Sequence, residues 1–561
     1  MNRLKWIALL MGVLIHQVGA APLEADLILS RGEIYTPDGW AQAVAIQKGV
    51  IIAVGDEAAA NQYRTAKTQI VDLQGAAVLP GLHDMHVHPL GAGLMQLQCL
   101  FPQGSTQRQI LAAIGSCAEQ RADGEWIVGG QWDAASFGSE PMDRRLLDGV
   151  APNNPVALTD ISYHSLWVSS RALEIAGVTA AMPNPPGGII ERNAAGELTG
   201  VLRESAGGLV RRAIPPNTHE QLVEALRWSL ELMLSHGITS FTDAGVDDGA
   251  LQAYAALADQ GILRQRVKAC MMWFGGRPGA TPDHVAQRNL YARERLSPTC
   301  IKLALDGVPT DGHTAAMVEP YEHTEGLDGD RAKGLLTVPA QTLNTLVSEL
   351  DALGFTVKMH AAGDGAVRAG LDAIEAARKA NGFSGQLHEV AHNSFVQMSD
   401  IRRARSIAAT FEMSPYIWYP NPIIPDIAKA VGAQRMQRWI PLKDAIDAGA
   451  LVVPGSDWSV VPSVNPWIAI ETLVTRQQPG GGGETLGAAE RLTLEQAIDL
   501  FTVNSARQMG KRSETGTIER GMLADLIVLD RNPFEIPITE VHDTQVSMAL
   551  INGEIVYTHE R

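Results

Sequence analysis

Four cysteines in 561 residues are too few for a disulfide scaffold or a zinc-thiolate array. Basic residues are also in deficit: 45 Lys and Arg stand against 62 Asp and Glu, a formal charge of -17. So acidic a surface repels phosphate backbones, which argues against nucleic acid and anionic membrane as partners. Beyond the first twenty residues no apolar run of about 18 or more occurs, so nothing there reads as a membrane span. A repeat of solenoid period is missing too. What is present is ordinary globular material, 45% hydrophobic and 19% charged, with ample substance for a core.

The first twenty residues read as an export signal. Arg3 and Lys5 supply a positive start, Trp6 to Ile15 an apolar stretch, and Val18-Gly19-Ala20 a small-residue cleavage site after Ala20. The expected location is periplasmic or secreted, where cysteines meet an oxidising compartment. On that reading Cys99 and Cys117, both beyond the first barrel strand, are expected to pair, and Cys270 and Cys300, on successive strands, to remain buried thiols.

Short alternating runs at Asp26 to Ser30, Ala43 to Gln47 and Val50 to Gly55 open the chain, and the same texture returns at Ala524 to Leu529, Val546 to Ile551 and Glu554 to Tyr557. Two β-rich ends around a long centre predict one small sheet domain built from residues 21–75 and 510–561. Between them, eight β-like segments alternate with helical stretches: Ala76 to Val87, Ile238 to Thr242, Arg266 to Trp273, Cys300 to Leu305, Phe355 to Met359, Gln386 to Ala391, Ile407 to Met413 and Ala450 to Pro454. Eightfold strand-helix alternation predicts a (β/α)8 TIM barrel over 76–509, with chemistry at the C-terminal strand ends. The interval from about 95 to 225 is too long for one loop and one helix and predicts an inserted subdomain after the first strand.

His86 and His88 lie two apart at the end of the first segment, so a strand presents both imidazoles on one face, where they can chelate a single cation. With 15 histidines in the chain the spacing alone is weak; its place at a strand end raises it. His360 ends the fifth segment, His392 the sixth, and Asp457 follows the eighth. Histidines from three strands and a carboxylate from a fourth, in barrel order, form a ligand set. Trp126, Trp132, Trp167, Trp273 and Trp458 are available to line an apolar pocket, or to pack.

Together these motifs resemble the amidohydrolase superfamily, amidohydrolase family 3, in the branch that includes N-substituted formamide deformylases. The resemblance runs over nearly the whole chain after residue 20. It rests on Pro80-Gly81 with Asp84 to His88, Glu125 to Gly129, His164 with Trp167 and Ser170 to Leu173, and Pro186-Gly187-Gly188 with Gly196 to Gly200. Further on it rests on Lys302 with Asp306-Gly307, His360 with Gly363-Asp364, Ser456-Asp457, and Gly516 to Gly521 with Ala524-Asp525. Many relatives carry Glu where this chain has Ala391, which puts a contact behind His392 in doubt rather than the ligand.

The resemblance implies a barrel with a β-sandwich made from both chain ends, and a metal-dependent hydrolase of an amide-type C–N bond (N-acyl, N-formyl or cyclic amide) in a small molecule, with one or two divalent cations, zinc first and iron, manganese or nickel as alternatives. It implies that Lys302 is carboxylated and bridges two ions; the other reading of a lysine directed into a barrel is a salt bridge to Asp306 or another carboxylate. His86, His88, Lys302 and Asp457 would hold one ion and Lys302, His360 and His392 the second. Asp457 would be the proton-carrying base, and His164 or His313 would steady the oxyanion. Asp311 and His313 are candidate substrate contacts on a loop. Alternatives are a heterocycle deaminase, disfavoured because Ala361-Ala362-Gly363 offers no proton-carrying Glu after His360, a lactonase on the same ligands, and a non-catalytic periplasmic binding protein. The oligomeric state stays open, a homodimer included.

Overall fold

The computed structural model describes residues 23–102, 104–132, 137, 141–160, 165–185, 188–273, 280–310, 313–322, 331–415 and 423–559. The expected export signal, His164, Asp311 and Pro186-Gly187 lie outside the described residues.

Eight parallel strands run in strict sequence order, Leu82–Val87, Ile238–Val246, Arg266–Met272, Leu296–Ala304, Thr356–Ala361, Glu389–His392, Thr410–Met413 and Leu451–Pro454. Parallel strands need long crossovers, and helices such as His219–Ser235, Asp248–Asp259, Ala340–Ala352 and Asp364–Asn381 supply them. Strand alternation sorts the side chains. Ile301, Val357, Val390 and Phe411 belong to the large apolar core that also takes in Leu230, Leu251, Leu343 and Leu371 from the helices. Their strand neighbours Lys302, Lys358, Glu389 and Glu412 take the opposite face, toward the barrel interior. The eighth strand meets the first through Asp457 N donating to His86 O at 2.7 Å and His88 N donating to Trp458 O at 2.5 Å.

The run from Ala76 to Val87, which reads as one segment, is two strands. Ala77–Pro80 pairs antiparallel with Leu526–Leu529 in a six-stranded sheet drawn from both chain ends, and Leu82–Val87 opens the barrel. The break falls at Gly81, where a Cβ would sit 2.3 Å from Thr239 Oγ1, so only glycine lets the second strand come this near. A four-stranded sheet of Leu27–Ser30, Ala43–Gln47, Val50–Gly55 and Gln69–Asp72 packs on it. Leu29, Ile34, Val44, Ile518, Leu526 and Leu550 share the core between them.

The long interval after the first strand holds its own six-stranded sheet, Cys99–Leu100 to Leu198–Glu204, with Trp132 and Trp167 buried in its core. Cys99 on its edge strand is disulfide-bonded to Cys117 on the helix Gln107–Glu119, as expected. The second expectation fails: Cys270 and Cys300 are also disulfide-bonded. The parallel register sets these two residues directly opposite one another, a fact that depends on strand pairing and not on sequence distance.

Candidate metal centre

Each ligand-type side chain sits where a strand delivers it. His86 ends the alternating face Leu82, Asp84, His86, and Asp84 anchors the turn below by accepting from His86 N and Ser456 N at 3.1 and 3.0 Å. Asp457 has φ +61° and His392 φ +72°, a left-handed conformation that costs a non-glycine residue energy and recurs at functional sites. The contacts around them hold these turns.

His86, His88 and Asp457 each offer one ligand atom, and those atoms lie within 4.8 Å of one another. Asp457 Oδ1 is 3.5 Å from His86 Nε2 and 3.4 Å from His88 Nε2, and its Oδ2 is 4.0 Å from His392 Nδ1. The His392 ring lies 4.7 Å from that of His86 and 4.4 Å from that of His360, centroid to centroid. Lys302 Nζ lies 3.2 Å from His86 Nε2. Five of the six expected ligands thus meet directly, and His360 adjoins them through His392. His360 Nε2 is turned to Gly307 O at 3.0 Å and Asp306 Oδ1 at 3.6 Å, which leaves Nδ1 as the nitrogen that would serve a cation.

The Lys302–Asp306 alternative is not what the structure forms. Asp306 accepts from Ala316 N, Ala362 N and Gly363 N at 2.9, 3.0 and 2.9 Å, and Lys302 faces His86 instead. His313 stacks its ring on Tyr321, centroids 4.4 Å apart, and among the described residues it makes no hydrogen bond with the cluster. Trp458 is buried against Trp228.

Three interior residues escaped the sequence reading. Glu412 Oε2 contacts His86 Nδ1, and Lys358 Nζ lies 3.5 Å from the same carboxylate and 3.0 Å from Glu389 Oε2; none of the three side chains is exposed. The signal was available, because the argument that marks Lys302, a charge within an apolar barrel run, applies equally to Lys358, Glu389 and Glu412.

Burial sets the electrostatics. It holds the His86 and His392 imidazoles well below the ordinary histidine range, with the Lys302 charge and, for His392, first the His360 ring adding to the effect. His360 is lowered to about 4 by burial and then by Lys302. Neutral imidazoles are the form a cation needs. Burial lowers Lys302, which Lys358 reinforces and Asp457 opposes, and it raises Glu412 against the pull of Lys358. Asp306 is pushed up to about 7 by burial despite its three main-chain donors.

A barrel with imidazoles and a carboxylate converging at the C-terminal strand ends defines the class of metal-assisted barrel hydrolases. Residues 69–557 match the model of the amidohydrolase family, and the chain belongs to that family. It is 29% identical over 532 residues to the protein YtcJ of Bacillus subtilis strain 168, named as an amidohydrolase, covering 92% of this chain and 96% of that one. With the N-substituted formamide deformylase of Arthrobacter pascens it shares 26% identity over 550 residues, 95% and 98% of the two chains. The fold matches that of a metal-dependent hydrolase from Pyrococcus horikoshii, with a TM-score of 0.74, 23% identity, and 91% and 99% coverage. The family implies a divalent metal, and the donor set fits one: neutral imidazoles and a carboxylate, gathered on rigid strand ends.

Proposed function

We propose that the protein hydrolyses an amide-type C–N bond of a small molecule, with His86, His88, Asp457 and a carboxylated Lys302 holding one cation and Lys302, His360 and His392 a second. The convergence of His86, His88 and Asp457 within 4.8 Å carries the reading. When bound, such a cation lowers the pKa of water from about 15.7 to about 7 and polarises a carbonyl. Asp457 lies near both histidines through Oδ1 and directs Oδ2 toward His392, which supports it as the group that would accept a proton from water and return it to the leaving nitrogen.

The deformylase relative, with which most of the chain aligns, puts N-formyl compounds first among substrates. The two disulfides support an exported protein, and among the described residues no helix is long and apolar enough to cross a membrane. The test is metal content after purification together with a panel of N-formyl, N-acyl and cyclic amides, lactones and amino-heterocycles. Metal-dependent turnover of amides supports the reading. Turnover confined to lactones, or ammonia release from heterocycles, would replace it.

A further inference from the structure

The barrel floor carries more charge than ligation requires. Lys358 lies between Glu389 and Glu412 with no solvent contact. Apolar packing of similar volume generally stabilises a fold at least as well as a buried ion pair, so this chain of charges calls for another account.

Its end point supplies one. Glu412 reaches two imidazoles, one directly and one through Ser414. Oε2 contacts His86 Nδ1 directly. Oε1 accepts from Ser414 Oγ at 3.4 Å, and Ser414 Oγ lies 3.2 Å from His392 Nδ1. A neutral imidazole has one N–H and one lone pair, and Glu412 in the carboxylate form that its ion pair with Lys358 favours against the push of burial only accepts. His86 Nε2 faces the donor Lys302 Nζ at 3.2 Å, which leaves the ring hydrogen on Nδ1, toward Glu412. At His392 the Ser414 hydroxyl spends its hydrogen on Glu412 and so accepts from Nδ1. Both lone pairs are then left on Nε2. The main chain preserves the contact: a Cβ on Gly455 would lie 2.3 Å from His86 Cβ and 2.6 Å from Glu412 Oε1, so the eighth strand gives way where these side chains meet.

We propose that Glu412, held by the Lys358–Glu389 pair, is a positioning residue shared by both halves of the site, fixing the tautomer and aim of His86 directly and of His392 through Ser414. The inference rests on the metal-hydrolase reading, but its first test does not. Histidine-selective 15N NMR on the metal-free wild-type protein should show the hydrogen on Nδ1 of both rings. Glu412→Ala should release both, and Ser414→Ala only His392. Equilibrium dialysis against zinc should then show Glu412→Ala weakening uptake about 10- to 100-fold, the usual effect of losing such a partner. Glu412→Gln keeps the shape and an acceptor oxygen, guards against a folding failure, and should restore part of the affinity. Ser414→Ala should loosen the ion held by His392 and spare the one held by His86 and His88.

An Nε2–H tautomer on either ring in the wild type would overturn the proposal whatever the metal does. A Glu412→Ala protein that loses thermal stability but matches wild-type tautomers and zinc affinity would overturn it while leaving the metal reading intact. Wild-type protein with both hydrogens on Nδ1 that takes up no divalent ion would overturn the metal reading instead.

Discussion

Asp457 and His86 touch twice. The main-chain nitrogen of Asp457 donates to His86 O at 2.7 Å, and Asp457 Oδ1 lies 3.5 Å from His86 Nε2. The hydrogen bond that joins the eighth strand to the first also sets the distance between carboxylate and imidazole, so closure of the barrel assembles the site.

Because the main chain fixes that geometry, Asp457→Asn should fold and keep most of the histidine-held metal. Turnover should fall by a factor on the order of 10² to 10⁴, the usual share of general acid–base catalysis. Thermal stability, metal content and turnover measured on one sample decide it. Near-normal turnover would remove Asp457 as the base.

Gly455→Ala tests the same closure from the other side. The added methyl must displace His86 or Glu412, and overpacking of this kind costs about 1–3 kcal/mol. Metal affinity should fall along with the melting temperature. A variant destabilised yet unchanged in metal affinity would show that the contact matters to the fold alone.

The residues that gather at the candidate metal centre were legible in the sequence because they obey two local rules, period two within a strand and chemistry at strand C-termini. His86, His88, Lys302, His392 and Asp457 meet as those rules predict. What escaped depends on pairing between strands. Cys270 and Cys300 are opposite only in the parallel register, and Glu412 meets His86 across 326 residues. The apolar run through Gly81 conceals a change of sheet, because both strands it contains are buried and read alike.

Lys302 faces His86 rather than Asp306, which removes the Asp306 salt bridge and leaves the proposed carboxylation to be tested. Lys302→Arg keeps the charge but cannot bridge two ions, so activity should collapse. Lys302→Ala should be partly rescued by acetate at high concentration, and 13C-bicarbonate should give a carbamate resonance in the wild type. A Lys302→Arg protein with wild-type activity would end that assignment.

His83 gives a pH test outside the ligand set. Burial, and secondarily the Arg266 charge, lowers it to about 3, and neither ring nitrogen has a hydrogen-bond partner among the described residues. Between about 3 and the unfolded value of 6.5 the unfolded chain binds a proton that the folded protein refuses, so stability falls as pH falls, by up to about 1.4 kcal/mol per pH unit. Asp84, raised from 3.8 to about 6 mainly by burial, works in the opposite sense over most of that range. Replacing His83 with leucine should therefore make the acid-side loss of stability of the metal-free protein shallower below pH 6.5. An unchanged slope in urea titrations across that window would contradict the assignment.

The most direct test of the metal-hydrolase account is the His86→Ala variant, assayed for bound metal and for amide hydrolysis on the same preparation as the wild type. Losing one arm of the chelating pair leaves water with its ordinary pKa, so metal and activity should disappear together. A metal-free His86→Ala protein with full hydrolytic activity would contradict the account.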